Sequence, residues 1–125
     1  MVKLRRSMGF TLVELLVVMA VLAILASMVA PRFIDRVDDA KETVLRQDLV
    51  GLRTAIDQFN RDKGRYPATL EELVTQHYIR AIPQDPITQR TDSWVLLAPS
   101  GGAGVFDVKS GASQKAKDGS AYNSW

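Results

Sequence analysis

The sequence predicts an α+β fold, in which a long N-terminal helix packs on a small C-terminal antiparallel β-sheet. Three observations support this prediction. Residues 10–30 carry a single charge, on Glu14, and as a helix they would span roughly 30 Å, the thickness of a bilayer core. Residues 34–59 then place apolar side chains at three- and four-residue steps, which is typical of a helix with one buried face. After Gly64, two short strand-like runs are separated by a glycine-rich turn.

A basic leader precedes the apolar run. Lys3, Arg5 and Arg6 lie before residue 10, and the positive-inside rule therefore predicts a cytoplasmic N-terminus and a single membrane span over residues 10–30. An ordinary secretory signal is cut at small residues beyond its apolar region. Residues 26–30 contain no clean small-x-small site, so removal of the whole run is the less favoured alternative.

The long helix is predicted to run from about Phe10 to Lys63. Its first half is apolar all round, whereas its second half has one apolar face among charged residues. Pro31 removes one backbone hydrogen bond and is expected to kink the helix, and Gly64 fits the position just past its C-terminus. The predicted buried stripe comprises Ile34, Val37, Ala40, Val44, Leu45, Leu49, Leu52, Ile56 and Phe59.

The rest of the chain predicts shorter elements. A capping box at residues 69–72 opens a short helix that ends near His77. Strands are predicted over residues 94–98 and 105–108, followed by a polar loop from residue 109. The aromatic residues expected between the sheet and the long helix are Tyr66, Tyr78, Trp94 and Phe106, and Trp125 is expected at an edge or an interface.

Composition excludes several classes of site. The sequence contains no cysteine, which excludes disulfides, thiolate catalysis and cysteine-ligated zinc. His77 is the only histidine and is expected to cap or solvate the short helix. No histidine pair, serine triad or convergent carboxylate pattern indicates an enzyme. Without the three basic leader residues, 13 positive charges face 14 negative ones, so there is no general electrostatic case for nucleic-acid binding.

The leader and the start of the apolar run resemble the class III signal of type IV pilin-like proteins. The matching residues are Arg5-Arg-Ser-Met-Gly9 followed by Phe10-Thr-Leu-Val-Glu14. The resemblance implies that a prepilin peptidase cuts between Gly9 and Phe10 on the cytoplasmic side and methylates the new N-terminal amine of Phe10. It also implies assembly roles for Glu14 and for Pro31.

Glu14 places a carboxylate inside an apolar helix. Such a group costs roughly 2.5–3.5 kcal/mol at mid-bilayer on insertion scales, and it therefore usually has a functional partner. The amine that cleavage would create at Phe10 lies within about 6 Å along the axis. Within one helix that amine points away from Glu14. The amine of a neighbouring subunit, staggered by one step, would therefore pair better with the Glu14 carboxylate. The alternative is a protonated Glu14 that lies shallow in the headgroup region.

Within this superfamily, the remaining chain is similar to the major pseudopilin family of type II secretion, the G subunit. The segments that carry the similarity are Gly64-Arg-Tyr-Pro-Ala-Thr-Leu-Glu-Glu-Leu73, Ile82-Pro-Gln-Asp-Pro86, Gly104-Val-Phe-Asp-Val108 and Asn123-Ser-Trp125. The similarity implies a cleaved leader over residues 1–9, a transmembrane and filament-core helix over 10–30, and a periplasmic domain over 31–125.

The same similarity implies a homopolymeric pseudopilus at the inner membrane that drives protein secretion. Minor pseudopilins, the prepilin peptidase and an inner-membrane assembly platform are the implied partners, and nucleic acid is not among them. The alternative is a type IV pilus or competence filament, which would serve adhesion, motility or DNA uptake. The absence of cysteine disfavours the disulfide-closed loop that is common in adhesive pilins.

The resemblance also implies a calcium site in the C-terminal loop, where Asp118 and Ser110 match the family's ligating positions best. Calcium takes six to eight oxygen ligands. Beyond residue 106 the chain contains two acidic residues, Asp107 and Asp118, and three lysines. The alternative is that side-chain packing, including that of Tyr122 and Trp125, holds the loop without a metal.

Overall fold

A computed structural model describes residues 9–125. Within that range the elements in chain order are helix α1 (Leu12–Lys63), helix α2 (Leu70–Thr75), strand β1 (Val95–Leu97), strand β2 (Asp107–Lys109) and a 3-10 turn (Tyr122–Ser124). These elements confirm the predicted α+β class. The chain divides into two compact units, one up to Val37 and one from Asp38 onward. The basic leader residues Lys3, Arg5 and Arg6 lie outside the described residues.

Helix α1 begins and ends where side-chain and backbone caps replace the regular hydrogen bonds. At its start, the Thr11 hydroxyl accepts the Glu14 amide at 3.1 Å, as an N-terminal cap does. At its end, Gly64 adopts a φ of 72° and donates its amide to the Asn60 carbonyl at 2.8 Å. The predicted bounds are confirmed to within about two residues. Pro31 lies inside the helix, and the kink expected there stays a prediction.

The second half of α1 supplies much of the core of the C-terminal unit. The buried apolar residues of this helix are Leu45, Leu49, Leu52, Ala55, Ile56 and Phe59. The predicted stripe is wrong for Ile34, Val37, Ala40 and Val44, which are exposed. Helical spacing predicts which side chains share a face, but it does not show how far along the helix the covering elements reach.

Helix α2 is closed at both ends by hydrogen bonds from its own chain. Thr69 Oγ1 accepts the Glu72 amide at 3.3 Å, which confirms the N-cap half of the predicted capping box. Glu72 Oε2 accepts the Ala68 amide at 2.7 Å, one residue before the N-cap amide that a capping box uses. At the other end, the amides of His77 and Tyr78 donate to carbonyls of the last turn in a Schellman motif. His77 has a φ of 64°, so it closes the helix through its backbone.

Strands β1 and β2 form an antiparallel pair in which Leu96 lies opposite Val108. The described residues form a two-stranded sheet. Val108 is buried and gives the sheet its attachment to the core. Trp94 precedes β1 and is buried as predicted, with its indole N–H donating to the Pro83 carbonyl at 2.8 Å.

Phe106 is 50% exposed, so its predicted place in the core is wrong. It lies just before β2, and its amide still donates to the Leu97 carbonyl of β1 at 2.7 Å, whereas the preceding Val105 amide donates to the Pro67 carbonyl at 2.7 Å. The chain leaves the strand pairing at this point, and the inward and outward alternation of side chains does not hold for Phe106. Its ring packs edge-on against Tyr66, with the centroids 5.6 Å apart. Tyr66 and Tyr78 are half-buried against the core.

Candidate functional site

The Gly9–Phe10 peptide bond lies ahead of the first turn of α1. Neither residue belongs to a helix or a strand, and Phe10 is 83% exposed. The helical backbone begins at Leu12. Exposed, non-helical backbone is the form that processing enzymes bind most readily, so the predicted cleavage bond lies in a suitable stretch.

Glu14 lies in the first turn of α1, and its side chain is exposed. The positive end of a helix favours a carboxylate by about 0.3–1 kcal/mol. That gain is smaller than the penalty of roughly 2.5–3.5 kcal/mol for a carboxylate at mid-bilayer. The helix end alone therefore does not offset the cost of an ionised Glu14 at mid-bilayer depth.

The first half of α1 presents apolar side chains all round. Of the described helices, α1 is long and apolar enough to cross a membrane, and none of its most apolar window is buried within the chain. Large apolar side chains are exposed from Leu12 through Val29. Soluble monomers rarely expose contiguous apolar patches above a few hundred Å², so lipid or another protein must cover this surface.

The two residues assigned to calcium have different partners. Ser110 is fully buried, and its hydroxyl donates to Asp85 Oδ2 at 2.5 Å. Asp118 is exposed, and its Oδ1 accepts the amide and the hydroxyl of Ser120 at 2.9 and 2.6 Å. These hydrogen bonds lower the pKa of Asp118. Residues 9–125 contain no group of three or more His, Cys, Asp or Glu side chains placed to hold a metal, so the described side chains do not fit a full calcium shell.

Sequence reasoning missed Asp85, which is fully buried. Its Oδ1 accepts the amides of Ile87 and Thr88 at 2.8 and 3.3 Å, and its Oδ2 accepts from Ser110. A buried carboxylate requires such donors. The turn between Pro83 and Pro86 signals the first two bonds, because an aspartate in a turn commonly accepts amides a few residues on. Nothing in the sequence around Asp85 predicts its hydrogen bond with Ser110, which lies 25 positions further along the chain.

Asp48 gives the C-terminal unit a predicted pH dependence. Partial burial, followed by the negative charge of Asp85, raises its pKa above the ordinary 3.8. The folded state therefore favours the protonated form, and this contribution to the free energy of unfolding is lost as the pH rises through the folded pKa. Asp48→Asn is expected to raise the melting temperature at neutral pH, with a gain that shrinks below about pH 4.

Thermal melts across the acidic and neutral range measure the Asp48 effect. Asp57→Asn is the matched control, because it removes the same charge from an exposed position on the same helix. An equal gain from both variants would assign the effect to net charge and contradict the prediction.

Two family models match adjoining parts of the chain. Residues 4–30 match the prokaryotic N-terminal methylation motif. Residues 32–124 match type II secretion system (T2SS), protein G. The first match covers the leader from residue 4 and the apolar half of α1, and the second covers the rest of the chain almost completely.

Curated relatives agree with these matches. The chain is 35% identical to the type II secretion system core protein G of Pseudomonas aeruginosa over 122 residues, which cover 85% of this chain and 83% of that protein. The protein of the same name from Vibrio cholerae serotype O1 is 35% identical over 123 residues, with coverage of 86% and 82%. That from Klebsiella pneumoniae is 36% identical over 121 residues, with 84% of each chain covered. No solved structure gives a significant match. The chain therefore belongs to the type II secretion system protein G family.

Proposed function

We propose that this chain is a structural subunit of a pseudopilus, which polymerises through its N-terminal helix and drives type II protein secretion. The observation that carries the proposal is the apolar half of α1, which is exposed along its length and has one carboxylate near its start. Lipid covers this surface before assembly, and copies of the same helix cover it in the filament. The match to protein G of type II secretion favours a pseudopilus over a type IV pilus or a competence filament.

Processing precedes assembly in this proposal. A prepilin peptidase cuts between Gly9 and Phe10 and methylates the amine of Phe10. The match to the N-terminal methylation motif and the exposed, non-helical backbone at these residues support this step. The subunit then lies in the inner membrane with residues 10–30 as its single span, while residues 31–125 lie in the periplasm.

Glu14 is the proposed assembly residue. Its carboxylate pairs with the N-terminal amine of a neighbouring copy in the filament, which supplies the cation that the apolar surroundings require. Pro31 lies inside α1, where the missing backbone hydrogen bond lets the helix bend as copies pack. Minor pseudopilins and an inner-membrane assembly platform are the other proposed partners.

Gly9→Val is expected to abolish processing, because a branched side chain replaces the small residue at the cleavage position. Cells that carry a prepilin peptidase should then accumulate a precursor that retains the basic leader. Mass analysis of the chain with Gly9 in place should find N-methylphenylalanine at Phe10. Gly51→Ala, a glycine change far from the leader, is the control and should be processed normally. A mature N-terminus beyond Ala26 would instead support an ordinary secretory signal.

Glu14→Val is expected to be inserted and cleaved but to polymerise poorly. The variant keeps the apolar surface, yet it leaves the neighbouring amine unpaired at a cost of roughly 3–5 kcal/mol per interface. Filament yield, measured against the amount of processed subunit in the membrane, gives the effect. Glu71→Val removes an exposed glutamate of α2 and should leave the yield unchanged. A normal yield from Glu14→Val would mean that Glu14 is a shallow charge without an assembly role.

A further inference from the structure

The C-terminal segment, residues 115–125, is joined to α1 by a buried carboxylate. Glu42 is 9% exposed, and its Oε1 accepts the Lys117 amide at 3.0 Å and the Tyr122 hydroxyl at 2.9 Å. A carboxylate is stable in a protein interior when donors replace its lost water. Burial, together with the Glu42 hydrogen bond, raises the pKa of Tyr122 to about 12. The Tyr122 hydroxyl therefore remains a donor throughout the neutral range.

An arginine of the same helix binds the same segment. Arg53 Nη2 donates to the main-chain oxygens of Trp125 and Val108 at 2.7 and 3.0 Å, and its Nε donates to Asp107 at 2.8 Å. The planar guanidinium presents its donors in a fixed fork, so one side chain joins α1, β2 and the C-terminal segment. The Arg46 guanidinium also lies over the Trp125 ring, 4.4 Å from its centroid.

The carboxylates near this segment already accept hydrogen bonds from protein groups. Asp107 accepts from Arg53, and Asp118 accepts from Ser120. The Lys117 ammonium lies 2.7 Å from the Asp39 carboxylate on α1. A divalent cation bound here would share these carboxylates with protein donors and would approach the positive charges of Arg53 and Lys117. These pairs between protein groups instead favour attachment of the segment without a metal ion.

We infer that Glu42 and Arg53 form a clamp that holds residues 115–125 on α1 without a divalent cation. The carboxylate fixes the start and the middle of the segment through Lys117 and Tyr122, and the guanidinium fixes its end at Trp125. The segment is held by charge-assisted hydrogen bonds, which are stronger than neutral ones. This inference concerns how the C-terminal unit completes its fold, so it stands or fails separately from filament assembly.

Hydrogen exchange on the full chain in detergent tests the clamp, because the Lys117 amide itself donates to Glu42. We expect equal exchange rates over residues 115–125 in a chelator and in millimolar calcium chloride, and an equal melting temperature. The inference would be overturned if calcium slowed exchange over residues 115–125 or raised the melting temperature, and the chelator reversed that change. Loss of that rise in Asp118→Ala would then assign the cation to the site implied by the resemblance.

Glu42→Ala is expected to accelerate exchange of the Lys117 amide by about tenfold or more, because it leaves buried donors without an acceptor. Calcium should not restore the protection. Glu71→Ala, which removes an exposed glutamate, is the control and should leave these rates unchanged. If Glu42→Ala does not fold, Tyr122→Phe removes one donor from the same carboxylate and should accelerate exchange over residues 115–125. Unchanged rates over the segment in the folded variant would overturn the clamp.

Discussion

Phe59→Ala is expected to destabilise the C-terminal unit by roughly 3–5 kcal/mol, the usual range when a large aromatic residue is removed from a core. Phe59 is 0% exposed. Its ring packs edge-on against Tyr78 with the centroids 5.3 Å apart, and the Arg65 guanidinium lies 5.0 Å from its centroid. Chemical denaturation of a fragment that begins at Ile34 measures the effect. This fragment is expected to fold as a monomer, because it retains the buried core of the described residues and lacks the exposed apolar run of residues 10–30.

Phe106→Ala is the matched control for Phe59→Ala. The change deletes the same atoms, but the Phe106 ring is half exposed and packs edge-on against Tyr66. The expected loss is about 1 kcal/mol or less, the value of an aromatic pair near the surface. Equal losses from the two variants would contradict the burial that the structure assigns to them.

Gly111→Ala is expected to destabilise the C-terminal unit by about 3 kcal/mol, at the upper end of the range for overpacking. A Cβ atom at residue 111 would lie 2.0 Å from the Ser93 carbonyl oxygen and 3.0 Å from its carbon. Both atoms are backbone, so no side-chain rotation relieves the clash. The backbone must move to relieve the clash, and this shift would also disturb the neighbouring Ser110, whose hydroxyl donates to Asp85. Denaturation of the fragment that begins at Ile34 measures the loss.

Gly51→Ala provides a control of opposite sign for Gly111→Ala. Gly51 lies inside α1, and a Cβ atom there would have no neighbour within 4 Å. Alanine in a helix interior is more stable than glycine by roughly 0.5–1 kcal/mol. Stabilisation by Gly51→Ala together with strong destabilisation by Gly111→Ala would exclude a general cost of replacing glycine by alanine, whereas equal losses would contradict the role of the Ser93 contact.

The elements that the sequence predicts well are those with local causes. Apolar spacing and Gly64 give α1 and its C-terminus, and the hydroxyl of Thr69 gives the start of α2. The burial of Glu42 has no local signal, since a charged residue on a helix is ordinarily solvent-facing. Its partner Tyr122 lies 80 positions further along the chain.

The same distinction applies to the candidate sites. Gly9, Phe10 and Glu14 belong to one contiguous motif, so a single segment of sequence predicts them together. Ser110 and Asp118 lie in a loop, and their partners depend on how that loop folds. Ser110 pairs with Asp85, which lies 25 positions earlier, and spacing within the loop cannot reveal such a pair.

The Glu42–Tyr122 hydrogen bond has a consequence for the order of folding. It closes a loop of about 80 residues, and such long-range contacts form late because loop closure loses chain entropy before any contact compensates for it. During synthesis, α1 is complete long before residues 115–125 are made. We therefore expect these residues to dock after the rate-limiting step, with φ-values near zero for Tyr122→Phe. Such a variant would unfold faster while folding at an unchanged rate.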